Sequence, residues 1–311
     1  MERTEKWRPD RNLGIYQRLK PGLAGTGALA KRDFPLAGGI NQDMQLNGKI
    51  LDDIQSRPAE VPLRIDCVGV SGLRRQLRLA DRTNGTQVTV ASVDLGVDLP
   101  ASTKGTHMSR LVEALDEWDD ELGRQSMHAL LSSMRERLKA GRAWARFGFP
   151  YLIRKASPTG GGQACMAYDC GVTGELSDNG LEFLLELAVP VMTVCPCSKA
   201  ISEEGAHSQR ALIRMKIRIA GFAWLEEFVE IAEASASSEV YPLLKRPDEK
   251  FVTEHAFGRP AFVEDVVRRV AAALASRAEV LQYEVEVESM ESIHNHNAFA
   301  RIKGGKRSSR D

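Results

Sequence analysis

Hydrophobic and polar residues alternate along much of the chain, and this period of two is typical of β-strands with one buried face. The first such segment is 61–79, and 86–99 follows it after the turn signal Asn84-Gly85. Further strands are predicted at 143–154, 164–172, 181–194, 211–219, 281–288 and 298–302. We therefore expect several antiparallel hairpins.

Between the strand pairs the period changes to three and four residues, as in amphipathic helices. Helices are predicted at 108–118, 126–140, 224–236 and 262–276, the second of them closed by Gly141. The resulting order of predicted elements is β-β-α-α-β-β, and this order occurs twice along the chain, with a boundary near residues 175–180. This order predicts an α+β protein in which antiparallel sheets carry helices on one face.

The two predicted units cover 49–177 and 178–303. Residues 1–48 are rich in glycine, proline and charge and are predicted to form a poorly ordered arm. Residues 304–311 form a short basic tail.

Composition excludes several classes of partner. Lysine plus arginine equals aspartate plus glutamate at 42 each, so no global field favours nucleic acid or a membrane surface. No apolar run is long enough to span a bilayer, and the first residues lack the apolar core of a signal peptide. Five cysteines, two of them only two positions apart, make a poor disulfide framework. We expect a cytoplasmic protein.

The candidate chemistry lies between the strands predicted at 181–194 and 211–219. Cys195 and Cys197 flank a proline, and His207 follows ten positions after Cys197. Thiolate and imidazole are ligands that a borderline transition metal prefers. In an extended stretch the two thiols would share one face, so Cys197 would be a spare ligand, a proton donor or a packing residue. The alternative is a pair of structural cysteines and a surface histidine.

Four segments together resemble one known family. They are Cys195-Pro-Cys-Ser-Lys-Ala-Ile-Ser with Gly-Ala-His207-Ser-Gln-Arg210, then Lys104-Gly-Thr-His-Met-Ser-Arg110, Leu244-Lys-Arg-Pro-Asp-Glu-Lys250 and Glu291-Ser-Ile-His-Asn-His296. The chain resembles the prokaryotic type IB GTP cyclohydrolases from about residue 53 to 301. The resemblance implies the tunnelling fold, whose units close into a multi-subunit barrel, and a homotetramer with active sites at subunit interfaces.

The activity implied by this resemblance is hydrolysis of GTP to 7,8-dihydroneopterin triphosphate and formate. This is a hydrolase reaction on a cyclic amidine and the first step of tetrahydrofolate and pterin biosynthesis. The resemblance maps metal binding onto Cys195, His207 and Glu249, with one divalent ion per active site. Such a mixed donor set suits manganese or zinc, with iron as a further option. Without the resemblance, Glu249 would be interpreted as a solvated carboxylate in a turn.

Glu264, Glu291 and His294 are the other implied active-site residues. Glu264 opens the helix after Arg259-Pro260, where a carboxylate accepts two parallel hydrogen bonds from the N–H/NH2 edge of guanine. Its alternative role is ordinary charge placement at a helix start. Glu291 and His294 would move protons during ring opening and closure. His296 is either part of this group or a surface residue.

A triphosphate site is predicted around Lys104, His107 and Arg110. They fall at a helix start beside Gly105, where backbone N–H groups and cations make an anion cradle. Lys199 and Arg210 would share this task. The alternative is a capped helix start with solvated charges.

Two other functions remain open on sequence grounds. One is an enzyme of the same fold in which Cys195 or Cys197 is a nucleophile and no metal is needed. The other is a non-catalytic purine-binding assembly with a structural Cys/His metal. Metal content measured together with formate release separates the three hypotheses.

Overall fold

The computed structural model describes residues 52–306 and, outside that range, only the backbone of 45–46 and 49–50. The predicted arm at 1–48 therefore lies outside the described residues, apart from β1 (Gln45–Leu46), and so does most of the basic tail. β1 pairs with β2 (Lys49–Ile50) in a short antiparallel hairpin. Residues 53–306 belong to one compact unit, and the hairpin belongs to another.

This compact unit contains nine strands and six helices among the described residues. The strands are β3 (Ile65–Asp81), β4 (Gly85–Leu99), β5 (Ala143–Ala156), β6 (Gln163–Ser177), β7 (Gly180–Val194), β8 (Ser208–Ile219), β9 (Ser238–Glu239), β10 (Val280–Ser289) and β11 (Ala298–Gly305). The helices are α1 (Met108–Asp116), α2 (Arg124–Leu138), α3 (Pro196–Ile201), α4 (Leu225–Ser235), α5 (Arg246–Gly258) and α6 (Val263–Ala275).

All nine strands form one antiparallel sheet. Its order is β11-β10-β8-β7-β6-β5-β4-β3, so neighbours in the sheet are almost always neighbours in sequence. β9 adds a short ladder to β7 at Val191 and Met192, beyond the last residue that pairs β7 with β6. The connections between strands are either short hairpin turns or longer segments that contain helices. The loops at the two ends of each strand are therefore different.

The helices cover one face of the sheet, and the core lies between the two layers. Helices α1 and α2 pack on the β3–β6 half, whereas α4 and α6 pack on the β7–β11 half. α6 turns a stripe of Val266, Val267, Val270 and Leu274 towards the sheet. Burying one such side chain contributes about 1.5–3 kcal/mol, so this interface holds the second half together.

The opposite face of the sheet is polar. Arg214, Lys216 and Arg218 alternate along β8 with buried apolar residues. Arg214 contacts Glu286 at 3.2 Å and Glu288 at 2.8 Å on β10. This alternation explains why the strands were recognisable from sequence: one face requires apolar residues and the other tolerates charge.

The predicted α+β architecture, with an antiparallel sheet and helices on one face, is confirmed. The order β-β-α-α-β-β occurs twice, with α3, β9 and α5 added in the second half. The predicted boundary at 177/178 falls in the turn between β6 and β7, which are hydrogen-bonded neighbours of one sheet. The division into two units stays a prediction.

Three local predictions were wrong. The helix predicted at 126–140 with Gly141 as its closing residue ends instead at Leu138, because Lys139 adopts the left-handed conformation with φ of 52°. Cys195 and Cys197 do not share the face of an extended segment, since Pro196 at the first helical position starts α3. Glu249 is not in a turn, because the Pro-Asp-Glu-Lys segment begins the thirteen-residue helix α5.

Within the described part of the chain, no helix is both long enough and apolar enough to cross a membrane.

Candidate active site

A cavity of about 170 Å³ lies where β7 ends, β8 begins and α6 starts. Four of the residues singled out from the sequence line it: Cys195, His207, Glu264 and Glu291. We call it the Cys/His cavity. Its other lining residues are Thr193, Gln209, Ala261, Phe262, Val263, Ser289 and Ala298.

The loop between β7 and β8 brings Cys195 and His207 together at its base. The strand ladder ends at Val194 opposite Ser208, and the Cys195 N–H then donates to the His207 carbonyl at 3.1 Å. Inside the loop, Ser198 N donates to the Cys195 thiol sulfur at 3.4 Å. The two residues are therefore partners across a hairpin base, although twelve positions separate them.

Two further backbone hydrogen bonds position the carboxylates of Glu264 and Glu291 at the cavity. Ala261 N donates to the Val194 carbonyl at 3.0 Å, which joins the start of α6 to the end of β7 and brings Glu264 to the cavity. Met290 N donates to the Arg210 carbonyl at 2.9 Å, which places Glu291 beside β8.

A side-chain network connects His207 with Glu291. His207 Nδ1 lies 2.9 Å from Gln209 Oε1, and Gln209 Nε2 lies 3.2 Å from Ser289 Oγ and 3.5 Å from Glu291 Oε1. The side chains of His207 and Glu291 are only 14% and 12% exposed, so this network is shielded from water. Such a setting strengthens each polar contact.

The donor chemistry of the cavity fits a divalent transition metal. Cys195 supplies a sulfur, and His207 supplies Nε2, which has no hydrogen-bond partner among residues 52–306. An imidazole whose other nitrogen is held by a polar side chain is the usual arrangement of a metal-binding histidine. No group of three or more metal-binding side chains is already assembled among the described residues.

Glu249, the third expected ligand, is not among the residues that line the cavity. It is exposed in the first turn of α5, next to Asp248, which is fully buried. Asp248 accepts from Thr159 N and Lys245 N, both at 2.9 Å, and so fixes the start of α5 against the 157–162 loop. The Thr159 hydroxyl also donates to this carboxylate, and that hydrogen bond, followed by those from the backbone, holds the Asp248 pKa below its usual value. Metal ligation by Glu249 stays a prediction.

His294 and the predicted phosphate-binding residues also lie outside the cavity lining. His294 is exposed in the loop after β10, where its ring stacks on His296 with centroids 5.2 Å apart. The Lys199 ammonium lies 4.2 Å from the centre of the Phe257 ring. Arg210 is exposed on β8 and has no side-chain partner among the described residues.

The Lys104–Arg110 segment occupies the opposite end of the sheet. Lys104 pairs with Glu60 at 2.6 Å, His107 is 3.5 Å from Asp53, and Arg110 donates to the Arg137 carbonyl at 3.1 Å.

The pairing register of the sheet gives the distance, along the strands, between the Lys104–Arg110 segment and the Cys/His cavity. Val97, near the end of β4, aligns through Ala143 and Leu176 with Leu181 near the start of β7. Cys195 lies fourteen residues further along, which is about 45 Å of strand at 3.3 Å per residue. One chain therefore cannot bring the segment and the Cys/His cavity to one small molecule.

Sequence reasoning missed Thr193, Gln209, Ser289 and Phe262. Thr193 on β7 and Gln209 on β8 stand two positions from Cys195 and His207, which lie just beyond these strands, so extending the alternation could have placed them on the same face. Thr193 is 2% exposed, and its hydroxyl has no partner within residues 52–306. Phe262 forms an apolar wall with Ala261, Val263 and Ala298. A flat ring would fit against such a wall.

Comparison with known proteins gives a consistent result. The family model described as type I GTP cyclohydrolase FolE2 matches residues 51–300. GTP cyclohydrolase FolE2 of Desulfovibrio desulfuricans is 63% identical over 253 residues, covering 81% of this chain and 97% of that protein. GTP cyclohydrolase FolE2 of Methylococcus capsulatus is 46% identical over 264 residues, covering 85% of this chain and 98% of that protein.

Among solved structures, uricase from Arthrobacter globiformis aligns with 79% of this chain and 95% of its own at a TM-score of 0.47 and 7% identity. A likeness this distant carries no conclusion about activity.

Proposed function

The chain belongs to the type I GTP cyclohydrolase FolE2 family, and on that premise we propose that the Cys/His cavity is where it hydrolyses GTP. The type IB cyclohydrolases that its motifs resemble are the same kind of enzyme under another name. GTP hydrolysis by this family is the first step of folate and pterin biosynthesis. The observation that carries the assignment to this cavity is the convergence of Cys195, His207, Glu264 and Glu291 on one small volume.

Cys195 Sγ and His207 Nε2 would hold one divalent metal ion, manganese or zinc, with iron as a further option. A metal there would supply Lewis acidity towards the attacking water. Glu249 would complete the ligand set only after its side chain reaches the cavity, because it is exposed on α5 outside the lining. The soft sulfur ligand argues against magnesium or calcium.

The residues of the cavity would divide the remaining tasks. Glu264 would accept hydrogen bonds from the N–H/NH2 edge of guanine, with the ring against the apolar wall around Phe262. Glu291 would take up and return protons as the five-membered ring opens and formate leaves. His294 would join it once the exposed loop after β10 closes over the substrate. The balanced reaction is GTP plus water to 7,8-dihydroneopterin triphosphate plus formate and one proton.

The triphosphate site requires a second subunit in this proposal. Lys104, His107 and Arg110 are separated from the cavity by the length of the sheet, so they would serve the cavity of a neighbouring copy. Within the described chain no strand pairs with the outer edge of β3 or β11, although Arg78 on β3 bonds to the backbone of Asp120 and Leu122, so most of both edges is suitable for joining copies. We propose a homotetramer in which these edges close tunnelling-fold sheets into a barrel.

All five cysteines are free thiols, and a reducing compartment suits them. We propose that the protein acts in the cytoplasm.

A pair of cysteine variants tests the site. Cys195→Ala should lose most of its bound metal and its formate release, because it removes the softest ligand. Cys197→Ala is the matched control, since this thiol is exposed on α3 and does not line the cavity. The Cys197→Ala variant should keep both its bound metal and its formate release.

Other outcomes would favour the alternatives. A wild-type enzyme that keeps full turnover after complete metal removal would support a cysteine nucleophile. Bound metal with no formate release from GTP would support a purine-binding assembly.

A further inference from the structure

Gln209 lies at the centre of the polar network in the Cys/His cavity. It is the second residue of β8, whereas His207 lies just before that strand, and both side chains line the cavity. Its carbonyl oxygen Oε1 is 2.9 Å from His207 Nδ1 and 3.5 Å from Ser292 Oγ. Its amide nitrogen Nε2 is 3.2 Å from Ser289 Oγ and 3.5 Å from Glu291 Oε1.

The neighbours of this amide determine which way it faces. An ionised carboxylate can only accept hydrogen bonds, so the NH2 group of Gln209 must face Glu291. The reversed amide would place two acceptor oxygens opposite each other in a shielded site. With the NH2 group towards Glu291, the carbonyl oxygen faces the imidazole.

The orientation of the amide in turn determines the tautomer of His207. A carbonyl oxygen accepts but does not donate, so a neutral His207 must carry its hydrogen on Nδ1 to make the 2.9 Å contact. Nε2 is then unprotonated, and its lone pair is free. This is the nitrogen that can bind a metal or accept a proton.

We infer that Gln209 is a positioning residue that selects the Nδ1–H tautomer of His207 and holds Glu291 with the same amide. The tautomer assignment rests on the geometry of the unligated chain, and only its consequence for metal binding rests on the proposed function. Glu291 is then fixed through Oε1, whereas its Oε2, 4.0 Å from His207 Nδ1, is left for the substrate. A neutral amide can accept from an imidazole through its oxygen and donate to a carboxylate through its nitrogen.

Two substitutions separate these tasks. Gln209→Leu shortens the side chain by one bond, keeps a comparable volume and removes both hydrogen-bonding groups. Gln209→Glu keeps an acceptor for His207 Nδ1 but removes the donor to Glu291 and adds a like charge beside it. Gln282→Leu is the control, because Gln282 is exposed on β10 and lies outside the cavity.

The first measurement is the tautomer of His207 in metal-free protein, from ring-nitrogen chemical shifts after selective 15N-histidine labelling. The chain has six histidines, and His207 is identified by the signals that vanish in His207→Ala. Wild type, Gln282→Leu and Gln209→Glu should show a protonated Nδ1 and a bare Nε2. Gln209→Leu should lose this preference.

The second measurement is Zn²⁺ affinity by competition with a chelator, followed by kcat. Losing the partner of a metal-binding histidine lowers metal affinity about 10–100-fold, and we expect this for Gln209→Leu. Gln209→Glu should bind Zn²⁺ at least as well as wild type but turn over GTP more slowly, because Glu291 has lost its donor. A purely structural role would change both quantities together or neither.

Either of two results would overturn the inference: a wild-type His207 protonated on Nε2, or a Gln209→Leu variant with an unchanged tautomer and Zn²⁺ affinity. The wild-type spectrum alone is decisive should the leucine variant fail to fold. If the tautomer is as inferred but the protein neither binds Zn²⁺ nor releases formate, the inference stands and the proposed function fails.

Discussion

Replacing Glu264 with glutamine should separate substrate recognition from metal binding. Glu264 occupies the second position of α6, and its carboxylate has no partner among the described residues although it lines the Cys/His cavity. The helix start does not need it, because Asp265 accepts from Phe262 N at 3.1 Å and so caps the helix. Its charge is therefore available for a ligand.

The expected size of the effect follows from the contact that is lost. Glutamine keeps the shape of the side chain but places an NH2 donor opposite the donors of the guanine edge. Glu264 is exposed in the free chain, but bound guanine would cover its carboxylate, and truncating one partner of such a buried, charge-assisted pair costs about 2–5 kcal/mol. At 1.4 kcal/mol per tenfold change, kcat/KM for GTP should fall by a factor of about 30 to 4,000. Bound metal should stay at the wild-type level, because Glu264 is not expected to be a ligand.

The assay is steady-state formate release over a range of GTP concentrations, together with elemental analysis of the same preparations. Asp265→Ala is the matched control, since it removes a carboxylate one position away on the same helix turn. Losing this cap should cost about 0.5–2 kcal/mol of stability and lower Tm, with little change in kcat/KM. Glu264→Gln should show the reverse pattern.

Two results would refute this reasoning. Unchanged kinetics for Glu264→Gln would make the residue an ordinary acidic side chain at a helix start. Loss of bound metal would move Glu264 into the coordination shell and shift base recognition to another residue.

Two further predictions concern stability. Lys155 is 9% exposed and lies 2.6 Å from both Glu233 and Glu239, so Lys155→Met should lower the free energy of unfolding by about 3–5 kcal/mol in urea titrations, because two carboxylates lose their cation. Thr193→Val should raise it by about 1 kcal/mol, since the buried hydroxyl at this position has no partner within the described residues.

Each has a matched control. Lys303→Met removes an ion pair with Glu284 from a side chain that is 69% exposed, and its effect should stay below about 1 kcal/mol. Ser237→Ala removes a buried hydroxyl that accepts from Val194 N at 3.0 Å, so it should destabilise where Thr193→Val stabilises. Equal effects within either pair would contradict the reasoning.

Periodicity was sufficient for most of the fold because each strand or helix buries one face. Helix α5 was missed because it does not bury such a face. It buries only Asp248 and Ala256, so it has no apolar stripe to detect. Its sequence signals are Pro247 at the second helical position and the carboxylate of Asp248, which accepts from Lys245 N at 2.9 Å. Helices that pack lightly must be found by their caps.

The candidate site was only partly predictable, because its members meet through long-range register. Cys195 and His207 are recognisable from local spacing, and Gln209 follows from alternation on β8. No local pattern shows that Glu291 lies beside Gln209, since the contact depends on how β8 and β10 pair, with Ala211 opposite Ser289. The register from β4 through β7 likewise places Lys104 at the far end of the sheet. The motif order along the chain thus suggested one compact site, whereas the sheet divides the motifs between its two ends. A substrate that needs both ends must be bound by more than one copy of the chain.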